Sequence, residues 1–146
     1  MTSKVMSHNF QRVCVAQDTI PICPTQLSQL VAEDALKEGR SWVAERVCTL
    51  HHNREVALDA LSVLGEDAVA ATEGAIYFFA KLPDGLDDEV VVERLIKEHR
   101  VTLIGGSSCG MPGYIRVAYA NCTAEDCEEA CRRLRGGLQS IVSESH

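Results

Sequence analysis

The sequence predicts an α+β fold: a small, mostly antiparallel sheet with helices on one face, together with a long N-terminal bridging helix. Three observations support this prediction. Segments with apolar residues three or four positions apart, typical of helices, alternate with short segments of period two, typical of strands. The inferred order is helix, helix, strand, helix, strand, strand, helix. The 146 residues are enough for one domain with a sizeable core.

Composition and charge exclude several classes of function. Fourteen basic and twenty-one acidic side chains give a net charge of −7, and the sequence contains no basic stripe. We therefore expect neither a nucleic-acid partner nor a membrane partner. No apolar run approaches the roughly eighteen residues of a membrane span, and the N-terminus lacks the apolar core of a signal peptide. The seven cysteines, an odd number mostly in periodic segments, favour reduced thiols and a cytoplasmic location.

The N-terminal part of the chain has two segments of different character. Residues 1–23 show no strong period and are predicted to form an irregular arm, which bends at Pro21. Residues 24–146 are predicted to form the folded domain, whose first helix ends at Gly39. Apolar residues recur at helical spacing in that helix at Leu27, Leu30, Val31 and Ala35.

The longest periodic segment runs from Arg40 to Leu64 and predicts a single helix. At about 1.5 Å per residue it is roughly 37 Å long, and a helix of that length commonly bridges to another body. Gly65 is expected to end it. The period is interrupted at Arg54, which either serves a site or extends its aliphatic stem past the apolar seam. We prefer the second interpretation.

Alternating residues from Glu73 to Pro83 predict a strand with aromatic side chains on both faces, which indicates that both faces are covered. Proline, aspartate and glycine at positions 83–85 then predict a turn. Asp87 or Asp88 is expected to cap a helix that continues to His99. One face of the strand carries Ile76, Phe78, Ala80 and Leu82, and the other carries Tyr77, Phe79 and Lys81.

The candidate site lies within residues 101–119, VTLIGGSSCGMPGYIRVAY. A buried strand over Val101–Ile104, a loop from Gly105 to Gly110 and a second strand over Tyr114–Tyr119 are predicted. In the second strand Arg116 faces away from the apolar residues Ile115, Val117 and Tyr119. Its guanidinium is suited to binding a carboxylate bidentately, although the pattern alone favours a surface ion pair. The loop lacks the spacing of a phosphate-binding motif.

The cysteines and histidines offer candidate metal and nucleophile sites. A cluster of Cys122, Cys127 and Cys131 with His99 or His146 is disfavoured as a metal site. The reason is that two of these cysteines lie in the apolar stripe of the last helix, which is predicted to begin at Thr123, and no C-x-x-C spacing is present. A nucleophile pair of Cys109 and His99 lacks a third group. We therefore predict no metal site and no catalytic residue in this chain.

Four segments resemble the C-terminal part of class I/II aminotransferases, fold-type I enzymes that depend on pyridoxal phosphate. They are GAIYFF at residues 74–79, the segment from Leu95 to Val101, GSS at residues 106–108 and GYIRV at residues 113–117, and the similarity extends over residues 17–138. The resemblance implies that Arg116 binds the substrate α-carboxylate of an amino acid or 2-oxo acid. It further implies that the complete enzyme is a homodimer with methionine, aromatic amino acids or aspartate as possible amino donors.

Pyridoxal chemistry requires a lysine for the Schiff base and groups that bind the phosphate. None of the four lysines, Lys4, Lys37, Lys81 and Lys97, stands in the context of the family lysine. We therefore interpret the chain as the truncated, substrate-carboxylate-binding portion of an aminotransferase. We expect it to bind no pyridoxal phosphate and to be inactive alone. The alternative is a non-catalytic carboxylate-binding or regulatory domain.

Overall fold

The computed structural model describes residues 2–70, 72 and 74–144. Within these ranges it contains five α-helices and a three-stranded antiparallel sheet, which confirms the predicted α+β fold class. The helices are α1 (Thr2–Thr19), α2 (Gln26–Cys48), α3 (Leu50–Leu61), α4 (Asp88–His99) and α5 (Ala124–Glu144). The strands are β1 (Tyr77–Lys81), β2 (Ile104–Gly105) and β3 (Tyr114–Ala118). The chain consists of two compact units, residues 1–44 and residues 45–146.

The prediction of an irregular arm over residues 1–23 is wrong for residues 2–19, which form α1. The sequence of this helix has no apolar period. Its apolar side chains, such as Phe10, Val13 and Val15, are exposed, so its described side chains form no buried face that would require an apolar stripe. The bend predicted at Pro21 is present, since it separates α1 from α2, and Ile22 there adopts a positive φ of 58°. Among the described helices, none combines the length and apolar character needed to cross a membrane.

The single helix predicted from Arg40 to Leu64 is also wrong. It is interrupted at Thr49, whose amide and hydroxyl both donate to the Arg46 carbonyl, at 3.2 and 2.7 Å. These bonds span three residues instead of four, so they break the α-helical ladder. Gly39 forms a kink inside α2 with a φ of 75°, a conformation that favours glycine. Gly65, with a φ of 115°, ends the last turn as predicted.

The sheet has the strand order β1-β3-β2, and its side chains alternate between two faces as predicted. Phe78 and Ala80 of β1 and Ile115 and Val117 of β3 are buried, whereas Arg116 is half-buried on the opposite face. Strand β1 is shorter than the predicted segment, whose first residue, Glu73, lies outside the described residues.

Both edges of the sheet are short or covered. The predicted strand over Val101–Ile104 is reduced to the two residues of β2, although Val101 and Leu103 are buried. At the opposite edge, an isolated bridge joins Val69 to Ala80 of β1. The amide of Lys81 also donates to the Ala68 carbonyl at 2.7 Å. The segment around residues 68–69 therefore covers part of the free side of β1.

The core lies between the buried face of the sheet and helices α3, α4 and α5, so the helices are on one face of the sheet as predicted. Helix α5 begins at the predicted capping box, in which the amide of Asp126 donates to the Thr123 hydroxyl at 3.2 Å. Gly137 lets α5 pack closely on α4, because a Cβ atom there would lie 2.5 Å from Leu95 Cδ2. The fully buried side chains include Leu61, Leu95, Ile115, Leu134 and Leu138.

Candidate functional site

Arg116 lies on the central strand of the sheet, on the face opposite the core. The strand register places Phe79 of β1 directly beside it on one side and Ile104 of β2 on the other. Side chains directly opposite each other in an antiparallel pair share one face of the sheet. The arginine is therefore surrounded by apolar neighbours on both flanking strands.

The guanidinium of Arg116 stacks on an aromatic ring. Its Cζ atom lies 5.1 Å from the centre of the Tyr77 ring, within the range of a cation–π contact. Among the residues that the structure describes, no carboxylate forms an ion pair with Arg116, so the surface ion pair considered from the sequence is not observed there. Arginines elsewhere are paired with carboxylates, namely Arg94, Arg132, Arg133 and Arg135.

A second aromatic contact extends this face of the sheet. Phe79 and Tyr114 stack with ring centres 5.2 Å apart and planes inclined by 10°. Tyr77 and Ile104 remain 41% and 40% exposed, so the described residues of this chain cover this face only in part. We call the side chains of Tyr77, Phe79, Ile104, Tyr114 and Arg116 the open face.

The backbone amides of the loop between β2 and β3 donate hydrogen bonds within the loop and to a neighbouring carboxylate. It forms a 3₁₀ turn over Gly106–Cys109, after which the amide of Met111 donates to the Gly106 carbonyl at 2.9 Å. The amides of Ser107 and Gly113 donate to the side chain of Asp88, at 2.9 and 2.8 Å. A bound phosphate needs unpaired donors, whereas the amides of Ser107, Met111 and Gly113 already donate to acceptors within the chain. This arrangement disfavours a phosphate site at these amides.

Asp88 is the residue at this site that the sequence did not identify as important. Its neighbour Asp87 caps helix α4, because the Asp87 carboxylate accepts hydrogen bonds from the amides of Glu89 and Val90. Asp88 is only 2% exposed and faces the loop instead. The signal in the sequence is the pair of adjacent aspartates, since one carboxylate is enough to cap a helix.

The ionisation of Asp88 is set by its burial and its hydrogen bonds. Burial favours the neutral form and raises the pKa of the Asp88 carboxyl. The amides of Ser107 and Gly113 and the Ser107 hydroxyl donate to the charged form and outweigh burial, so its pKa lies below the usual value. Asp88 is therefore a buried carboxylate that is charged at neutral pH.

Two glycines allow the loop to pack this closely. A Cβ atom on Gly105 would lie 2.7 Å from Asp88 Oδ2, and one on Gly106 would lie 2.2 Å from the Met111 carbonyl oxygen. Both distances are shorter than a non-bonded contact allows. The glycines are therefore required by the close approach of the loop to α4 and to itself.

The cysteines of α5 are core residues, as predicted. Cys127 and Cys131 are 2% and 6% exposed, and their Sγ atoms lie 4.0 Å apart. Burial raises the pKa of the Cys127 thiol to about 12. No group of three His, Cys, Asp or Glu side chains within the described ranges is arranged to hold a metal ion. His146, one of the ligands considered above, lies outside the described residues.

Cys109 and His99 occupy different structural settings. Cys109 is an exposed free thiol at the end of the 3₁₀ turn. His99 ends helix α4 and faces α5, where its ring lies 2.9 Å from the position of a Cβ atom built on Gly137. His99 therefore packs between α4 and α5. No hydrogen bond between His99 and Cys109 is observed among the described residues.

The described lysines form surface ion pairs. Lys37 pairs with Glu33 and Asp34, Lys81 pairs with Asp84 at 3.1 Å, and Lys97 pairs with Glu93. The structure does not describe the side chain of Lys4. None of the three described lysines is buried or held in a pocket with a donor set for phosphate.

The chain is similar to known proteins over most of its length. The family model described as "Aminotransferase class I and II" matches residues 12–134. The aromatic aminotransferase ISS1 of Arabidopsis thaliana is 43% identical over 127 residues, which cover 86% of this chain and 32% of that protein.

Solved structures agree with the sequence comparison. The crystal structure of an aromatic aminotransferase from Pyrococcus horikoshii superposes with a TM-score of 0.72 and 31% identity, over 90% of this chain and 36% of that chain. LysN, an α-aminoadipate aminotransferase from Thermus thermophilus complexed with N-(5′-phosphopyridoxyl)-L-leucine, gives a TM-score of 0.70 at 26% identity and covers 93% of this chain and 36% of its own. The chain thus spans about a third of the length of the relatives it matches.

Proposed function

Because the chain belongs to the class I and II aminotransferase family, we propose that it is the part of such an enzyme that binds the substrate carboxylate, and that Arg116 is the binding residue. The observation that carries the proposal is the position of Arg116 on the open face. Its guanidinium rests on the Tyr77 ring and, among the described residues, has no carboxylate partner. A planar guanidinium with unpaired donors matches the two oxygens of a carboxylate.

The apolar surroundings of Arg116 strengthen this interpretation. A carboxylate between apolar side chains interacts with the guanidinium in a medium of lower effective dielectric constant than water. Phe79 and Ile104 flank the arginine on the two neighbouring strands, and Tyr77 supports it from the same face. The ligand class is an amino acid or a 2-oxo acid, because both carry a carboxylate next to the reacting carbon.

We propose aromatic amino acids, methionine or aspartate as possible amino donors in the complete enzyme. Relatives named as aromatic aminotransferases support the first class. The complete enzyme is proposed to be a cytoplasmic homodimer that transfers the amino group to a 2-oxo acid.

The cofactor of the family does not fit the residues of this chain alone. Pyridoxal phosphate supplies the carbonyl group that accepts the amino group, and it is held through a lysine and a phosphate site. Here the three described lysines are in surface ion pairs, and four amides of the Gly106–Gly113 loop, those of Ser107, Gly110, Met111 and Gly113, already donate to Asp88 or to the loop itself. We therefore propose that this chain alone is catalytically inactive.

Incubation of the purified chain with pyridoxal phosphate is expected to give no stoichiometric Schiff base, because the three described lysines, Lys37, Lys81 and Lys97, are exposed and held in surface ion pairs. The measurement is the visible absorption spectrum after removal of excess cofactor, followed by borohydride reduction and mass spectrometry. A single lysine labelled in full, together with transamination of phenylalanine or aspartate, contradicts this prediction.

The same observations leave a second candidate function, a non-catalytic domain that binds carboxylates or modulates a partner. It shares the site at Arg116 and is favoured by the surface ion pairs of the described lysines. The two candidates differ in whether a cofactor-binding domain is encoded in the same polypeptide.

The carboxylate-binding role is tested with Arg116→Lys, which keeps the charge and loses the planar fork. We expect the variant to fold and its affinity for pyruvate and phenylpyruvate to fall at least about fivefold, since a hydrogen bond between charged groups contributes roughly 1.5–3 kcal/mol. The measurement is an NMR titration that follows the amides of residues 105–113.

The matched control is Arg132→Lys, whose side chain is 72% exposed and pairs with Glu129 on α5. It is expected to bind both acids as the wild type does. Equal affinity of the wild type and Arg116→Lys, or shifts centred away from the loop, contradicts the proposed role.

A further inference from the structure

We infer that the buried carboxylate of Asp88 positions Arg116, because it fixes both ends of the loop that leads into the arginine strand. The inference rests on the proposed carboxylate-binding role of Arg116. Asp88 belongs to helix α4 and its carboxylate is engaged by the loop, so we assign it as a positioning residue and not as a ligand.

The geometry shows how one carboxylate holds the whole loop. Asp88 Oδ2 accepts a hydrogen bond from the Ser107 amide at 2.9 Å. Its Oδ1 atom accepts two more, from the Ser107 hydroxyl and from the Gly113 amide, both at 2.8 Å. Ser107 lies two residues after the end of β2, and Gly113 is the residue before the first residue of β3. The carboxylate therefore links the exit of one strand to the entry of the next.

Gly113 is held from both sides. Its amide donates to Asp88, and its carbonyl accepts a hydrogen bond from the amide of Leu82, just beyond β1, at 2.9 Å. It adopts a φ of 79°, in the left-handed region that favours glycine. Three residues later the chain reaches Arg116. A shift of Gly113 therefore moves the start of β3 and the arginine with it.

The energetics point to positioning as the role of this residue. A buried charge is costly unless it is paired, and among the described residues no cation forms an ion pair with Asp88. Helix α4 already has its cap in Asp87. Asp88 is thus a charged group in the core of the site whose three bonds all go to the loop that precedes Arg116. Binding groups must be held within about 0.5 Å to act on their ligand, and this carboxylate supplies that restraint.

The test uses Asp88→Asn. Asparagine retains an acceptor at one oxygen position but presents an amide group to the Ser107 amide, so two donors face each other. Two properties are measured by NMR at pH 6: the affinity for pyruvate and the Nε–Hε resonance of Arg116. We expect the ring current of Tyr77 to displace that resonance, because the guanidinium lies over the ring.

We expect Asp88→Asn to move the Arg116 resonance toward its random-coil position and to weaken pyruvate binding at least about fivefold. The control, Asp87→Asn, alters the cap of the same helix and is expected to leave both properties as in the wild type. A folded Asp88→Asn protein with an unmoved Arg116 resonance overturns the inference, as does an equal displacement in Asp87→Asn.

Two further measurements keep the outcomes distinct. If Asp88→Asn does not fold, Ser107→Ala is used instead, because it removes one of the three hydrogen bonds to Asp88. It is expected to move the Arg116 resonance part of the way toward its random-coil position, and an unmoved resonance overturns the inference.

If the wild type and Arg116→Lys bind pyruvate equally, the proposed function fails. The Arg116 resonance in the Asp88 variant still decides whether Asp88 positions Arg116.

Discussion

Replacement of Gly106 by alanine is expected to lower the free energy of unfolding by at least about 3 kcal/mol, at the upper end of the cost of overpacking. The added Cβ atom would lie 2.2 Å from the Met111 carbonyl oxygen and 2.8 Å from Tyr114 Cβ. The first of these is a backbone atom, and the Met111 amide is bonded to the Gly106 carbonyl at 2.9 Å. The loop cannot open at this point without losing that bond.

Urea denaturation followed by circular dichroism measures this loss. The matched control is Gly136→Ala, because a Cβ atom at Gly136 meets nothing within 4 Å in helix α5. That variant is expected to be stabilised by about 0.5–1 kcal/mol, the helix propensity difference between glycine and alanine. A Gly106→Ala protein within about 1 kcal/mol of the wild type shows that the loop adapts, contrary to this prediction.

Replacement of Asp88 by alanine is expected to cost about 3 kcal/mol at pH 7, since three hydrogen bonds to a charged acceptor are lost and part of this loss is offset by the removed desolvation. The difference in the free energy of unfolding between Asp88→Ala and the wild type is expected to become smaller at acid pH. The pKa of the Asp88 carboxyl is lowered in the folded protein. The stability that it contributes is therefore complete above its unfolded pKa of about 3.9 and is lost as the pH falls through its folded pKa.

The measurement is the free energy of unfolding of both proteins at pH 7, 5 and 3. Asp84→Ala is the control, because the Asp84 side chain is 93% exposed and forms only a surface pair with Lys81. It is expected to change stability by less than about 0.5 kcal/mol. The prediction is contradicted if the difference in the free energy of unfolding between the wild type and Asp88→Ala stays constant down to pH 3 or increases. Such a result is inconsistent with a charged, hydrogen-bonded Asp88.

The sheet could be predicted from the sequence because its pattern has a direct physical cause. Residues of β3 alternate between core and open face, so period two alone predicts that Ile115 and Val117 are buried and that Arg116 is not. The capping box at Thr123 likewise predicts the start of α5 from local chemistry. In both cases the information lies within a few neighbouring residues.

Other features depend on contacts between distant residues. The loop conformation depends on Asp88, which is nineteen positions from Ser107 in the chain. The two adjacent aspartates indicate that one of them is not needed as a cap, but the local pattern does not show which one is buried or what it contacts. The break at Thr49 was missed for a different reason: the apolar period continues through it, although a hydroxyl bond to the Arg46 carbonyl interrupts the helix. Helix α1 has no buried stripe, so periodicity carries no signal for it.

The short edges of the sheet have a consequence for how this protein meets other chains. An exposed strand edge offers unpaired backbone groups to which a foreign strand can add, a route to fibrous aggregation. Here β2 pairs with β3 through only Ile104 and Gly105, and the free side of β1 is bridged by Val69. Growth of the sheet by strand addition is thereby disfavoured at both ends. Any association of this chain is therefore expected to use side-chain surfaces, which substitution of single residues can weaken without disturbing the backbone.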